Sequence, residues 1–116
     1  MDLLGMIFGK PLPSVSAAEL NEKLKNGKRP LVLDVRQRDE YRSGHIAGAK
    51  LIPLHELGSR LKELPKEREI VCVCASGNRS SSATRMLTKA GYNAVNMKGG
   101  MSAWRRVDLA VKKGDS

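Results

Sequence analysis

Three short runs along the chain are apolar with almost no interruption: 31–35 (LVLDV), 69–74 (EIVCVC) and 93–97 (NAVNM). Continuous apolar runs of this length, bounded by polar or turn residues, mark strands covered on both faces, the habit of parallel sheets. Between them, apolar residues recur at helical spacing. Ala17, Leu20 and Leu24 make one stripe, opened by the capping box Ser16-Ala-Ala-Glu19 and stopped by Asn26-Gly27. Leu54, Leu57, Leu61 and Leu64 make a second that continues to Pro65, and Ala83, Met86, Leu87 and Ala90 a third, closed by Gly91. The pattern also predicts a helical turn over 39–43 ended by Gly44, a last short helix over 101–107, and brief strands at 14–16 and 50–54. Pro53 limits the pairing of the 50–54 strand.

Strands alternating with helices at these spacings predict an α/β fold: a central, mostly parallel sheet of about five strands with helices on both faces. In such sheets ligands collect beyond the carboxyl ends of the strands. That rule sorts the polar residues. Asp34 and Arg36 end one buried strand, Cys74 ends another, and Lys98-Gly99-Gly100 comes just past a third, so the three groups should converge at one edge of the sheet.

Length and composition add bounds. At 116 residues with 41% hydrophobic content, one domain with a real core is expected. The predicted organisation is an N-terminal arm (1–13), a domain (14–107) and a basic C-terminal tail (108–116). Arg105, Arg106, Lys112 and Lys113 make that end basic, and a solvated tail explains them. The apolar patch Leu3–Phe8 is far shorter than the ~20 residues a membrane span needs, and it lacks a basic n-region and a small-residue cleavage site. No membrane association is expected, and a cytoplasmic monomer is the default. The formal charge is +9, with 21 Lys and Arg against 12 Asp and Glu. One Trp, two Tyr and one Phe, none interleaved with a basic run, leave no stacking platform for a nucleic acid. A small anionic substrate fits the charge equally well.

The chemistry concentrates in VCVCASGNRSSSATRML (71–87). Two cysteines are too few for a disulfide scaffold. Residues two apart in a strand are separated by roughly 6.6 Å, against about 3.8 Å between bridged Cβ atoms. Zinc is poorly supported, because C-x-C has no second pair and His45 and His55 lack finger spacing. No metal or other cofactor is expected. Cys72, between Val71 and Val73, reads as a buried filler. Cys74 stands where the strand ends, and the residues after it are built like an anion cradle. Gly77 permits backbone angles closed to other residues. Ala75, Ser76 and Asn78 let successive N–H groups turn inward. Ser80 to Ser82 open a helix whose amides favour negative charge, and Arg79 adds a cation. A thiol held there should be reactive as thiolate.

These elements together resemble a known family. LDVRQRDEYRSGHIAGAKLIPL resembles the first signature of the rhodanese family, CASGNRS its active-site loop, and KGGMSAW its closing Gly-Gly-x-x-x-Trp segment. The resemblance runs from about Ser14 to Val107 and corresponds to the single-domain members. It implies a three-layer rhodanese-like fold and sulfurtransferase chemistry. Cys74 would take a sulfane sulfur from a donor such as thiosulfate, become a persulfide, and yield the sulfur to cyanide or a thiol. Ala75, Ser76, Gly77, Asn78, Arg79 and Ser80 would hold the donor and the terminal sulfur, with Arg79 the foremost binding side chain. Asp34 and Arg36 are expected to brace the loop. His45, Glu40, Tyr41 and Trp104 read as structural, Gly99 and Gly100 as a tight turn, and Lys98 as a solvated lysine near the pocket mouth. A sulfur-carrier or desulfurase protein would also suit an electropositive loop. The rivals are a phosphatase or arsenate reductase, whose loops read C-x5-R where this one has four residues between Cys74 and Arg79, and a non-catalytic module of the same fold.

Overall fold

The computed structural model describes residues 12–115. Five strands form one sheet: β1 (Ser14–Val15), β2 (Leu31–Asp34), β3 (Lys50–Leu51), β4 (Ile70–Val73) and β5 (Ala94–Met97). Their order is β1-β5-β4-β2-β3, and every pairing is parallel. The expected sheet is borne out, with each boundary within a few residues. The apolar patch Leu3–Phe8 and most of the predicted arm lie outside the described residues.

Two apolar clusters define the layers. On one face Val32, Val71, Val73 and Met97 pack beneath α1 (Ala17–Leu24), α2 (Arg38–Ser43) and α5 (Gly100–Arg106) through Leu20, Tyr41, Met101 and Trp104. On the other, Leu33, Ile70, Cys72 and Cys74 meet α3 (Leu54–Leu57) and α4 (Asn78–Lys89) through Leu57, Ala83 and Leu87. Alternate strand residues face opposite layers, so both cysteines lie on the α4 side.

Local chemistry explains two of the helix ends. Both halves of the α1 capping box form: Glu19 N donates to Ser16 Oγ (3.0 Å) and Ser16 N to Glu19 Oε1 (2.7 Å). Gly44 terminates α2.

Three expectations need correction. The predicted helix over 54–64 is two pieces, α3 and a 3-10 turn at Leu61–Glu63, because the chain turns at Gly58-Ser59. Arg60 then binds Glu56 (2.8 Å) and Glu63 (2.7 Å) across the break. Met86 is exposed, and the inner stripe of α4 is Ser80, Ala83, Thr84 and Leu87. The C-terminal residues are not a free tail. Trp104 Nε1 donates to Ala110 O (2.9 Å), His45 and Lys112 exchange two backbone hydrogen bonds (2.9 and 2.8 Å), and Gly114 N donates to Arg42 O (2.9 Å). The basic side chains of this segment stay solvated while its backbone straps α5 to the loop after α2. Among the described residues no helix is long and apolar enough to cross a membrane.

Candidate active site

Strand β4 ends at Val73, and Cys74 opens the turn that enters α4. Four bonds shape that turn. Cys74 O accepts from Met101 N (2.8 Å) and Ala75 O from Ser102 N (3.1 Å), both in the first turn of α5. Ser81 Oγ donates to Gly77 O (2.6 Å) and accepts from Asn96 Nδ2 on β5 (3.2 Å). With its carbonyls tied outward, the loop turns its N–H groups toward the sulfur. Gly77 N lies 3.0 Å and Ser80 Oγ 3.3 Å from Cys74 Sγ.

Glycines make this approach feasible. Gly77 is left-handed (φ 107°) and ends against Gly99, whose N would lie 3.4 Å from a Cβ at position 77. Gly100 is tighter still: at φ +57° a Cβ would sit 2.6 Å from both the carbonyl carbon and oxygen of Ala75. No side chain fits there.

The two thiols are driven in opposite directions. Burial pushes Cys72 up to about 12, so it stays a neutral thiol. Burial would also raise Cys74, but the Ser80 hydroxyl and the N–H groups of Ser80, Gly77 and Ser76 outweigh it, and the thiol falls below its ordinary value. Thr84 Oγ1, bonded to Ser80 O (2.7 Å), secures the turn that carries the Ser80 hydroxyl. Both cysteines are free, and neither is solvent-accessible (0%).

The remaining predicted residues separate into two groups. Ser76, Gly77 and Ser80 face the sulfur, while Ala75 is tied through its carbonyl to Ser102 N and Asn78 is exposed at the start of α4. Arg79 points to Glu40 of α2 in a two-pronged ion pair, Nη1 to Oε1 at 2.8 Å and Nη2 to Oε2 at 2.9 Å. Asp34 and Arg36 form a buried pair (Nη2–Oδ2 2.8 Å) that also reaches Gly44 O at 2.8 Å, bracing the loop between β2 and α2. His45 is buried, stacked 3.7 Å from Tyr41 with Nδ1 2.8 Å from Tyr41 O. Lys98 is exposed, immediately before Gly99. Among the described residues no cluster of three or more His, Cys, Asp or Glu could hold a metal.

Three contributors escape a sequence reading: Glu40 as partner of Arg79, the Asn96–Ser81 link behind Gly77, and the α5 amides behind Cys74 and Ala75. The adjacent glycines 99 and 100 were the visible signal for the last. A polar residue inside the run NAVNM was the signal for Asn96.

A family model for the rhodanese-like domain matches residues 16–107 of this chain. The chain belongs to the rhodanese-like family. The resemblance carried by the three motifs is thereby borne out. Among curated relatives, a protein named sulfurtransferase from Allochromatium vinosum is 35% identical over 98 residues, covering 84% of this chain and 92% of that one. The HTH-type transcriptional regulator Rv0324 of Mycobacterium tuberculosis is 37% identical over 110 residues, and there the rhodanese-like chain spans only about half (48%) of the relative. Among solved structures, a rhodanese-related protein from Thermoplasma volcanium superposes with a TM-score of 0.81 at 36% identity, covering 86% of this chain and 97% of that one.

Proposed function

We propose that this rhodanese-like chain is a sulfurtransferase that carries a sulfane sulfur as a persulfide on Cys74. The observation that carries the reading is the Cys74 sulfur facing Gly77 N at 3.0 Å and Ser80 Oγ at 3.3 Å, with its thiol pKa held below the ordinary value. Thiolate is the attacking form in exchange at sulfur. The Cys74 thiolate attacks the outer sulfur of a donor such as thiosulfate, the donor S–S bond breaks, and sulfite leaves. The persulfide is anionic, and the same N–H groups that hold the thiolate stabilise its terminal sulfur, as an oxyanion hole does for oxygen. An acceptor, cyanide or a thiol, then attacks that terminal sulfur and regenerates the thiolate. The +9 charge favours anionic donors.

Phosphoryl or arsenate chemistry is less well supported. Only four residues separate Cys74 from Arg79, and the Arg79 guanidinium is engaged by Glu40 rather than turned over the loop. Sulfurtransferase-named relatives support the enzymatic reading over a purely binding module.

Mass spectrometry after incubation with thiosulfate tests the assignment. One added sulfur is expected, absent in Cys74→Ser and retained in Cys72→Ser. An adduct that survives in Cys74→Ser, or a wild type that takes up sulfur from neither thiosulfate nor methanethiosulfonate, sinks the proposal.

A further inference from the structure

Of the arginines expected at the site, Arg36 and Arg79 are each paired with a carboxylate. Arg36 is closed off against Asp34, both at most 3% exposed. Arg79 is held by Glu40 through both terminal nitrogens, and this pair is about a third exposed on each side. Lys98 is exposed on the β5 side and feels Glu19 of α1. A guanidinium on its own discriminates strongly by charge, drawing a dianion harder than a monoanion. Paired head-on with a carboxylate it presents a dipole, and much of that discrimination vanishes. The overall +9 attracts all anions and so does not select among them locally.

From this we infer that Glu40 is a specificity-determining residue which, by neutralising Arg79, turns the site toward singly charged sulfur donors of the persulfide and thiosulfonate class and away from dianionic thiosulfate. The inference rests on the sulfurtransferase reading of Cys74. Both donor types react by the same balanced step. With a thiosulfonate the thiolate attacks the outer sulfur, the S–S bond breaks, and a sulfinate leaves with the electron pair. With thiosulfate the leaving group is sulfite. An alkyl persulfide loses its alkyl thiolate in the same way. What differs is the charge that must come to rest beside the Glu40 carboxylate.

Glu40 Oε1 also accepts from Gln37 N at 2.9 Å and so closes the start of α2. A glutamine at position 40 keeps that acceptor while removing the charge. The test compares kcat/KM for thiosulfate and for methanethiosulfonate, a monoanion, in the wild type, Glu40→Gln and Asp39→Asn. Asp39 lies beside Glu40 on α2 but has no contact with Arg79 among the described residues, so it reports the effect of a lost negative charge alone. The wild type should favour methanethiosulfonate. In Glu40→Gln the ratio should move toward thiosulfate by about fivefold, the effect of one extra charge at a partly exposed site, through a lower thiosulfate KM. In Asp39→Asn it should stay put. A wild type that prefers thiosulfate, a ratio unmoved by Glu40→Gln, or an equal shift in Asp39→Asn overturns the role of Glu40. If neither donor loads sulfur on Cys74, the sulfurtransferase reading itself falls. A wild type that prefers thiosulfate overturns the role even if the variant does not fold.

Discussion

Replacing Gly100 with alanine probes the contact on which the loop geometry depends. The added methyl would lie 2.6 Å from the Ala75 carbonyl carbon and oxygen, both backbone atoms that a rotamer change cannot move. The position is left-handed (φ +57°), which adds roughly 1–2 kcal/mol for a residue with a Cβ. Relief of the clash must separate α5 from the loop, and that breaks the Met101 N–Cys74 O and Ser102 N–Ala75 O bonds, worth about 1 kcal/mol each. With overpacking the total is roughly 4–7 kcal/mol, a large part of the ~5–15 kcal/mol that holds a domain folded. Urea unfolding followed by Trp104 fluorescence reads the loss. Gly58→Ala is the matched control: φ is −57° and nothing lies within 4 Å of its Cβ, so a gain of about 0.5 kcal/mol is expected. Sulfur loading by Gly100→Ala under folding conditions should also slow by about tenfold, as the cradle amides lose alignment. A Gly100→Ala protein within ~1 kcal/mol of wild type that loads sulfur at the wild-type rate would refute the reasoning.

Three further outcomes are expected from the same geometry. Ser80→Ala removes the hydroxyl that faces Cys74 Sγ at 3.3 Å, so the thiol pKa should rise and the acid limb of the loading rate should move to higher pH, as followed by thiolate ultraviolet absorbance. Glu40 sits at about 2 against an ordinary 4.5, chiefly through its hydrogen bonds to Arg79. A depressed folded pKa gives stabilisation that is complete above pH 4.5 and disappears as pH falls through 2. Because both side chains are about a third exposed, solvent screening leaves about 1 kcal/mol, and the difference between wild type and Glu40→Gln in unfolding experiments should shrink over that window. Ending the chain after Val107 deletes the strap that holds Trp104 Nε1 and His45. That should lower stability by about 3 kcal/mol, and a truncated protein as stable as the full chain would show the strap to be idle.

Much of this architecture is legible along the chain because its signals are local. The interior strands announce themselves through short apolar runs, and Ser16 and Glu19 bond to each other within one helical turn. Cys74 stands out because strand, glycine and helix start succeed one another without a break. Other features depend on residues distant in sequence. Arg79 reads as an unpartnered cation until α2 brings Glu40 beside it, 39 positions away along the chain. Asn96 needs α4 to supply Ser81, and the role of Gly100 needs α5 to lie against the end of β4. The leucine stripe over 54–64 misleads for another reason. Its periodicity persists across a turn at Gly58-Ser59, since both pieces bury leucines toward the same layer.

The placement of β1 has a kinetic consequence. Its partner is β5, with Ser14 beside Asn96 and Val15 beside Met97, so the first strand is joined to the last across nearly the whole domain. Strands β2, β3 and β4 can assemble from segments close in sequence, but the β1–β5 edge closes only once the C-terminal part of the chain is in place. Loop closure of that span is costly, and non-local parallel pairings form slowly. During synthesis Val15, Ala17 and Leu20 must wait uncovered until α5 and β5 emerge. Docking of this segment is therefore expected to be a late step of folding, because β1 is made well before the strand it pairs with.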